Sequence, residues 1–293
     1  MARIDLRAAQ WHAVIDAQLG GALLELSHAA QPVLRAATVE GVRRLGVRGC
    51  ACYPMVPFAN RIAYGQLNVG GRDYALRANF PPEPHAIHGL GWQRSWSLVD
   101  QAESSAELIL RHDGGSLGDW PFAFEARQRF ELSPAGLHIS ISLANRDREA
   151  WPGGMGLHPY FSVQGEQALQ FEADGAWQNG PDHLPRDRVF GTDWDFRHAR
   201  RVAELDLDHD FSHWRGWARL YGGAAGTVRI TASEVFRVLR VFTPPGRGFL
   251  AIEPVSHGAD AVHRAGEPGV GFQLLAPGEA MTGRVDISLE ESA

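Results

Sequence analysis

The chain has 293 residues, 44% of them apolar, with a formal net charge of −6. That balance lacks the basic face of a phosphate-backbone binder, so nucleic acid is excluded as the expected partner. All 28 positions counted as Lys+Arg are arginine. This excludes Schiff-base chemistry, which needs an amine nucleophile, and a P-loop, which needs its lysine.

The first residues, MARIDLRAAQWHAV, lack the apolar stretch of a secretory leader. No run of about 18 apolar residues follows, so no membrane span is expected. The two cysteines, Cys50 and Cys52, would share one face of a strand, in poor geometry for a mutual disulfide. With no disulfide framework and no CxxC, a cytoplasmic location is expected.

CYPMVPFANRIAYGQ, Cys52 to Gln66, places Asn60 and Arg61 after a proline-rich turn. Such an arginine reads either as a binding group or as a solvated loop charge. HAIHGLGWQRSW, His85 to Trp96, sets His88 beside Gly89 and near Gly91. Glycines there allow close approach of backbone or ligand, although a turn explains them equally well.

Period-two alternation then takes over. Phe124 to Leu132 alternates, and so does GLHISISLANR, with Leu137, Ile139, Ile141 and Leu143 on one face. In GGMGLHPYFSV, Pro159 biases His158 toward extended backbone, and Tyr160, Phe161 and Val163 favour a strand. An ionisable ring in so apolar a strand calls for either a satisfied core histidine or a chemical role.

Short helical turns are expected near Asp208 to Trp214 and Gly258 to His263. HDFSH spaces His209 and His213 as zinc ligands on one helix face. Asp210 stands where HExxH has its glutamate and no third ligand is evident, so no metal is expected. Val228 to Ser233, Val235 to Thr243, Phe249 to Val255 and Gly283 to Glu290 read as further strands, separated by turns such as DGGSLGDWP and TPPGRGF. In LAIEPV, Glu253 follows three apolar residues, and the plainest reading is a strand arriving at the surface.

Many short strands without α/β alternation predict an all-β antiparallel sandwich or barrel, as one domain over residues 1–293. No GxSxG elbow and no GxGxxG after a strand occur, which leaves hydrolase-triad and dinucleotide readings unsupported. The nine tryptophans suit core packing, and some suit a flat face for a sugar ring.

Taken in order, ANRI, IHG, LHPYF, DHDF and IEP, the last followed by Asp260-Ala261, resemble the motifs of the aldose 1-epimerase (galactose mutarotase) family. HGLGW, with Arg94 soon after, is similar to its divergent bacterial branches, among them relatives of hexose-6-phosphate mutarotases. The resemblance implies a galactose mutarotase-like β-supersandwich with few short helices and a sugar site in an open cleft. It implies interconversion of α- and β-anomers of a free aldose with no cofactor.

Carried over by position, Glu253 would be the general base and His158 the general acid. His88 would hydrogen-bond near the ring oxygen, and Asn60, Arg61 and Asp208 would hold sugar hydroxyls, with Asp206 and Asp210 as neighbours of Asp208. Proximity to Glu253 is expected to keep His158 protonated, with burial opposing it. Two alternatives stand beside this. One is a hexose-6-phosphate 1-epimerase, its phosphate held by Arg72, Arg77 or Arg94. The other is a non-catalytic sugar-binding protein of the same fold. The expected partner is a small sugar, not nucleic acid or membrane, and the chain is expected as a monomer or homodimer.

Overall fold

The computed structural model describes residues 3–290. The alternating segments form strands at Phe124–Ser133, Gly136–Asn145, Gly226–Ala232, Val238–Phe242, Phe249–Val255 and Ala280–Glu290. Side-chain alternation decides their faces. Leu137, Ile139, Ile141 and Leu143 are fully buried, while His138, Ser140 and Ser142 are only half-buried.

Two large antiparallel sheets carry the architecture. The nine-stranded sheet runs, in spatial order, from Ser97–Gln101 through Ser105–His112, Phe124–Ser133, Gly136–Asn145, Ala280–Glu290, Gly226–Ala232 and Trp217–Gly223 to Ala168–Phe171 and Arg200–Arg201. The eight-stranded sheet runs from Pro185–Val189 through Gly175–Asn179, Asp208–Ser212, Val238–Phe242, Phe249–Val255 and Gly156–Leu157 to Pro54–Met55. Its eighth strand, Tyr160–Ser162, also pairs with Phe249–Val255. A four-stranded meander, from Arg3–Ala8 to Gln31–Pro32, forms the N-terminal part.

The core lies between the sheets. Phe130, Ile139 and Ile287 of the larger sheet belong to one buried cluster with Phe211, Leu239, Val241, Leu250 and Ile252 of the smaller. Each such side chain contributes about 1.5–3 kcal/mol by leaving water. The opposite face of the smaller sheet is also covered. Val238, Ala251 and Val255 pack there with Tyr53, Tyr160 and Trp92 in a second buried cluster. The Phe249–Val255 strand is therefore dry on both faces. Glu253 does not surface, contrary to the plainest reading of LAIEPV, and is 2% exposed.

Two local expectations change. Asp208–Ser212 is a strand, because Asp208 to Ser212 pair with Phe242 to Val238 and the sheet overrides local turn preference. With it goes the shared helix face of His209 and His213. The Asn179 N–H donates to His209 Nδ1, whereas His213 faces Asp174. The α-helix among the described residues instead spans Val39–Leu45, where Thr38 Oγ1 accepts from Gly41 N–H as N-cap. It buries no side chain, so no apolar stripe announces it. Ala261–His263 is a short 3₁₀ turn, as expected near Gly258. No helix among the described residues is long and apolar enough to cross a membrane.

Candidate active site

One rung of the eight-stranded sheet assembles the chemistry. Gly156 pairs with Val255 and Tyr160 with Ala251, so His158, midway, lies opposite Glu253. Glu253 pairs with Arg240, and Arg240 with Asp210. On the other side, Leu157 pairs with Pro54, and His158 N–H donates to Tyr53 O over 3.0 Å. Directly paired residues on antiparallel strands point to the same face. Tyr53, His158, Glu253, Arg240 and Asp210 thus stand side by side on the face away from the main core.

His158 Nε2 lies 3.2 Å from Glu253 Oε1. The imidazole packs against Tyr53 and Tyr160, at 4.7 and 4.4 Å between ring centres, and the two tyrosine hydroxyls approach each other. Burial pushes the Glu253 carboxyl up to about 8 and the His158 imidazole down to about 3. The expectation that Glu253 keeps His158 protonated therefore fails. Desolvation penalises both charged forms and is the largest cause of each shift. Burial thus favours the neutral form of each, a carboxylic acid beside a neutral imidazole.

His88 comes from a second piece of pairing. Arg61–Ile62 pairs with Ala86–Ile87, and beyond its end Asn60 and His88 face each other, both in the left-handed region, with φ of 57° and 58°. The His88 N–H donates to Asn60 O, and the Asn60 N–H donates to His88 Nδ1. Neutral His88 therefore carries its proton on Nε2. Burial holds it well below the ordinary histidine range. The loop is clamped from behind: Asn79 and the Trp92 indole N–H both donate to the carbonyls of Ile87 and Gly89, which flank His88.

The polar rim is cross-braced. The Arg61 guanidinium is bidentate to Glu83, at 2.7 and 2.8 Å, and also donates to Asn60 Oδ1. Asp208 receives Arg240 on Oδ1, at 2.5 Å, and faces His183 with Oδ2. Burial would raise Asp208, but Arg240, His183 and Arg61 hold it well below the usual carboxylate range. Asp210 is the buried anchor of Arg240 and accepts from Ala259 N–H, so of the two it is Asp208 that lines the cleft.

These groups line one open cleft of about 180 Å³. All six residues expected from sequence, Asn60, Arg61, His88, His158, Asp208 and Glu253, border it. Its apolar wall is Tyr53, Phe80, Ile87, Tyr160 and Phe242. No tryptophan among the described residues lines it, so the expected tryptophan platform is not formed; Trp92 stacks behind Tyr53 at 5.8 Å instead.

Sequence reasoning missed Arg240, Glu83 and His183. An arginine flanked by Leu239 and Val241 in a continuous apolar strand was the available signal for Arg240. Glu83 and His183 sit in irregular segments, PPEPH and DHLP, where nothing local marks them. The arginines considered for phosphate are elsewhere: Arg72 pairs with Glu149, Arg94 with Asp119, and Arg77 donates to Leu117 O.

A family model described as aldose 1-epimerase matches residues 3–288. The uncharacterized Escherichia coli K12 protein YphB is 27% identical over 290 residues, covering 92% of this chain and 93% of YphB. A crystal structure of an Escherichia coli K12 protein superposes with a TM-score of 0.89 at 25% identity, over 99% of both chains. The GalM/aldose epimerase homologue from C. elegans superposes with a TM-score of 0.81 at 20% identity, over 100% of this chain and 99% of that one.

Proposed function

Since the chain belongs to the aldose 1-epimerase family, we propose that it interconverts the α- and β-anomers of a free aldose by general acid–base ring opening. The observation that carries this reading is the 3.2 Å approach of His158 Nε2 to Glu253 Oε1 at the cleft floor. Ring opening removes the proton from the anomeric hydroxyl and adds one to the ring oxygen. Those two oxygens share one carbon, so a base and an acid standing side by side reach both.

The carboxyl proton suits the cycle. Passing it from Glu253 to His158 gives a carboxylate and an imidazolium without exchange with solvent. Glu253 takes the anomeric proton as His158 protonates the ring oxygen, and the C1–O bond of the ring breaks to leave an aldehyde. The pair is then back as carboxylic acid and neutral imidazole. Rotation about C1–C2 and the reverse proton transfers close the ring on the other face. General acid–base help of this kind is worth about 10²–10⁴-fold.

His88, donating through Nε2, would hydrogen-bond near the ring oxygen. Arg61 and Asp208 would hold hydroxyls, their orientation set by Asn60, Glu83 and Arg240. Both cleft arginines already have carboxylate partners, which supports an uncharged aldose over a sugar phosphate. Two free, buried cysteines accord with a cytoplasmic location.

Anomer exchange of freshly dissolved α-glucose and α-galactose, followed by polarimetry or NMR, tests the reading. Acceleration over buffer that disappears in Glu253→Gln is expected. Saturable sugar binding with no exchange would establish a binding protein instead. A clear preference for glucose 6-phosphate over glucose would restore the phosphorylated substrate.

A further inference from the structure

Arg240 is the least explained charge in the molecule. It lies mid-strand among apolar residues, 2% exposed, between Glu253 and Asp210 on the active rung. Its Nη1 donates to Asp210 Oδ1 over 2.8 Å, and its Nη2 to Asp208 Oδ1 over 2.5 Å and to Asp208 O over 3.2 Å. Asp210 is tied in turn to Ala259 N–H, in the turn that follows the Glu253 strand. Burying a guanidinium with two carboxylates is not a cheap way to stabilise a sheet, because an apolar row of the same volume serves as well or better. The fork has two directional consequences. It presents Asp208 to the cleft, and it keeps a fixed cation next to Glu253.

We propose that Arg240 is the positioning residue of the anomeric proton transfer: it aims Asp208 at the sugar and, beside Glu253, stabilises the carboxylate that must act as base. The proposal rests on the anomerase reading above. Arg240 is distinct from Arg61, which lies in the separate two-stranded pairing and is fastened to Glu83. The groups around Glu253 are His158 and Tyr160 on one side, Arg240 with Asp208 and Asp210 on the other, and Tyr53, Cys52, His88 and Arg61 from the segments above. Arg240 is the cation in direct register with it. The other neighbours are neutral, anionic, or already bound to Glu83.

The test compares wild type with Arg240→Lys, Arg240→Gln and the double variant Asp210→Asn/Arg240→Gln, which removes the buried charge pair together and guards against misfolding. Two quantities are read: the pH profile of anomer exchange with its KM and kcat, and the Glu253 carboxyl titrated by carbon-13 NMR, assigned through Glu253→Gln. In both Gln variants kcat is expected to fall tenfold or more. In Arg240→Gln the Glu253 titration and the alkaline limb of the profile are expected to move up by about one pH unit or more, as loss of a neighbouring opposite charge requires; in the double variant the loss of Asp210, which acts on Glu253 in the opposite sense, makes the upward shift smaller. Arg240→Lys keeps the limb near its wild-type position and raises KM, because a point charge replaces the fork. Folded variants with an unmoved Glu253 titration and unchanged kcat overturn the proposal and leave Arg240 a structural strut. If the wild type exchanges no aldose, the anomerase reading fails and the catalytic role falls with it. The NMR titration still decides whether Arg240 governs Glu253: an unmoved titration overturns that part too, and an upward shift upholds it.

Discussion

His158 and Glu253 meet because they occupy one register position on adjacent strands, bracketed by the Gly156–Val255 and Tyr160–Ala251 pairs. Neither loop closure nor a helix dipole is involved. The contact of 3.2 Å is a property of the sheet, and a one-residue slip of the Phe249–Val255 strand would turn Glu253 into the core.

Removing either partner should abolish the same unit of chemistry. Glu253→Gln and His158→Gln are each expected to lower kcat/KM by about 10²–10⁴-fold. The double variant should lose little more than the worse single one, since residues acting as a unit are not additive. Steady-state polarimetry on the three variants checks this; additive losses would mean that the two residues act separately.

The raised carboxyl has a consequence for stability. Unfolded Glu253 ionises near its ordinary value of about 4.3, whereas folded Glu253 keeps its proton up to about 8. Between those values the native state binds the extra proton, so wild-type stability declines as pH rises. Glu253→Gln carries no such penalty. Its melting temperature should exceed that of wild type by a margin that widens from about pH 5 to about pH 8. A margin independent of pH would show that Glu253 is ionised in the folded protein.

Activity should follow the proton count of the pair. Burial pushes the Glu253 carboxyl up to about 8, so exchange should fall above that pH, where the carboxyl proton that would be passed to His158 is lost. A profile of kcat/KM from pH 5 to 10 reads the limb directly. Activity that rises steadily to pH 10 would mean that no acid is needed.

His88 should remain neutral across that range, with its proton on Nε2, because Nδ1 is occupied by the Asn60 N–H. Nitrogen-15 NMR of the imidazole checks the tautomer. Asn79→Ala leaves the Ile87 N–H without its acceptor, as well as removing donors from the carbonyls on either side of His88, and should destabilise the loop by about 1–3 kcal/mol. Its effect on exchange should be larger than that of equally destabilising changes elsewhere.

Glu83→Gln loosens Arg61 without touching the acid–base pair. KM should rise several-fold while kcat changes little, the pattern for a group that binds ground and transition states alike. The Arg61–Glu83 pair is bidentate and largely buried, so Glu83→Gln should also lower stability by leaving the Arg61 guanidinium underpaired. A matching fall in kcat would place Arg61 in the chemical step instead.

Period-two alternation and turn chemistry pointed to an all-β antiparallel fold, and the family resemblance of the five short motifs pointed to the six polar residues that line the cleft. These are local signals: Leu137 to Leu143 alternate because a strand has two faces, and Pro159 keeps the backbone beside His158 extended. What local signals do not carry is which strand lies beside which. Arg240 became part of the site only when Val238–Phe242 paired with Phe249–Val255 and set it against Glu253. Glu83 and His183 joined through irregular segments that have no period to read. The proton's place was also decided by the tertiary structure. The proximity to Glu253 that the resemblance implies predicts an imidazolium, but the covering of both faces of the sheet removes the water that would sustain it, and desolvation favours the neutral form of both groups.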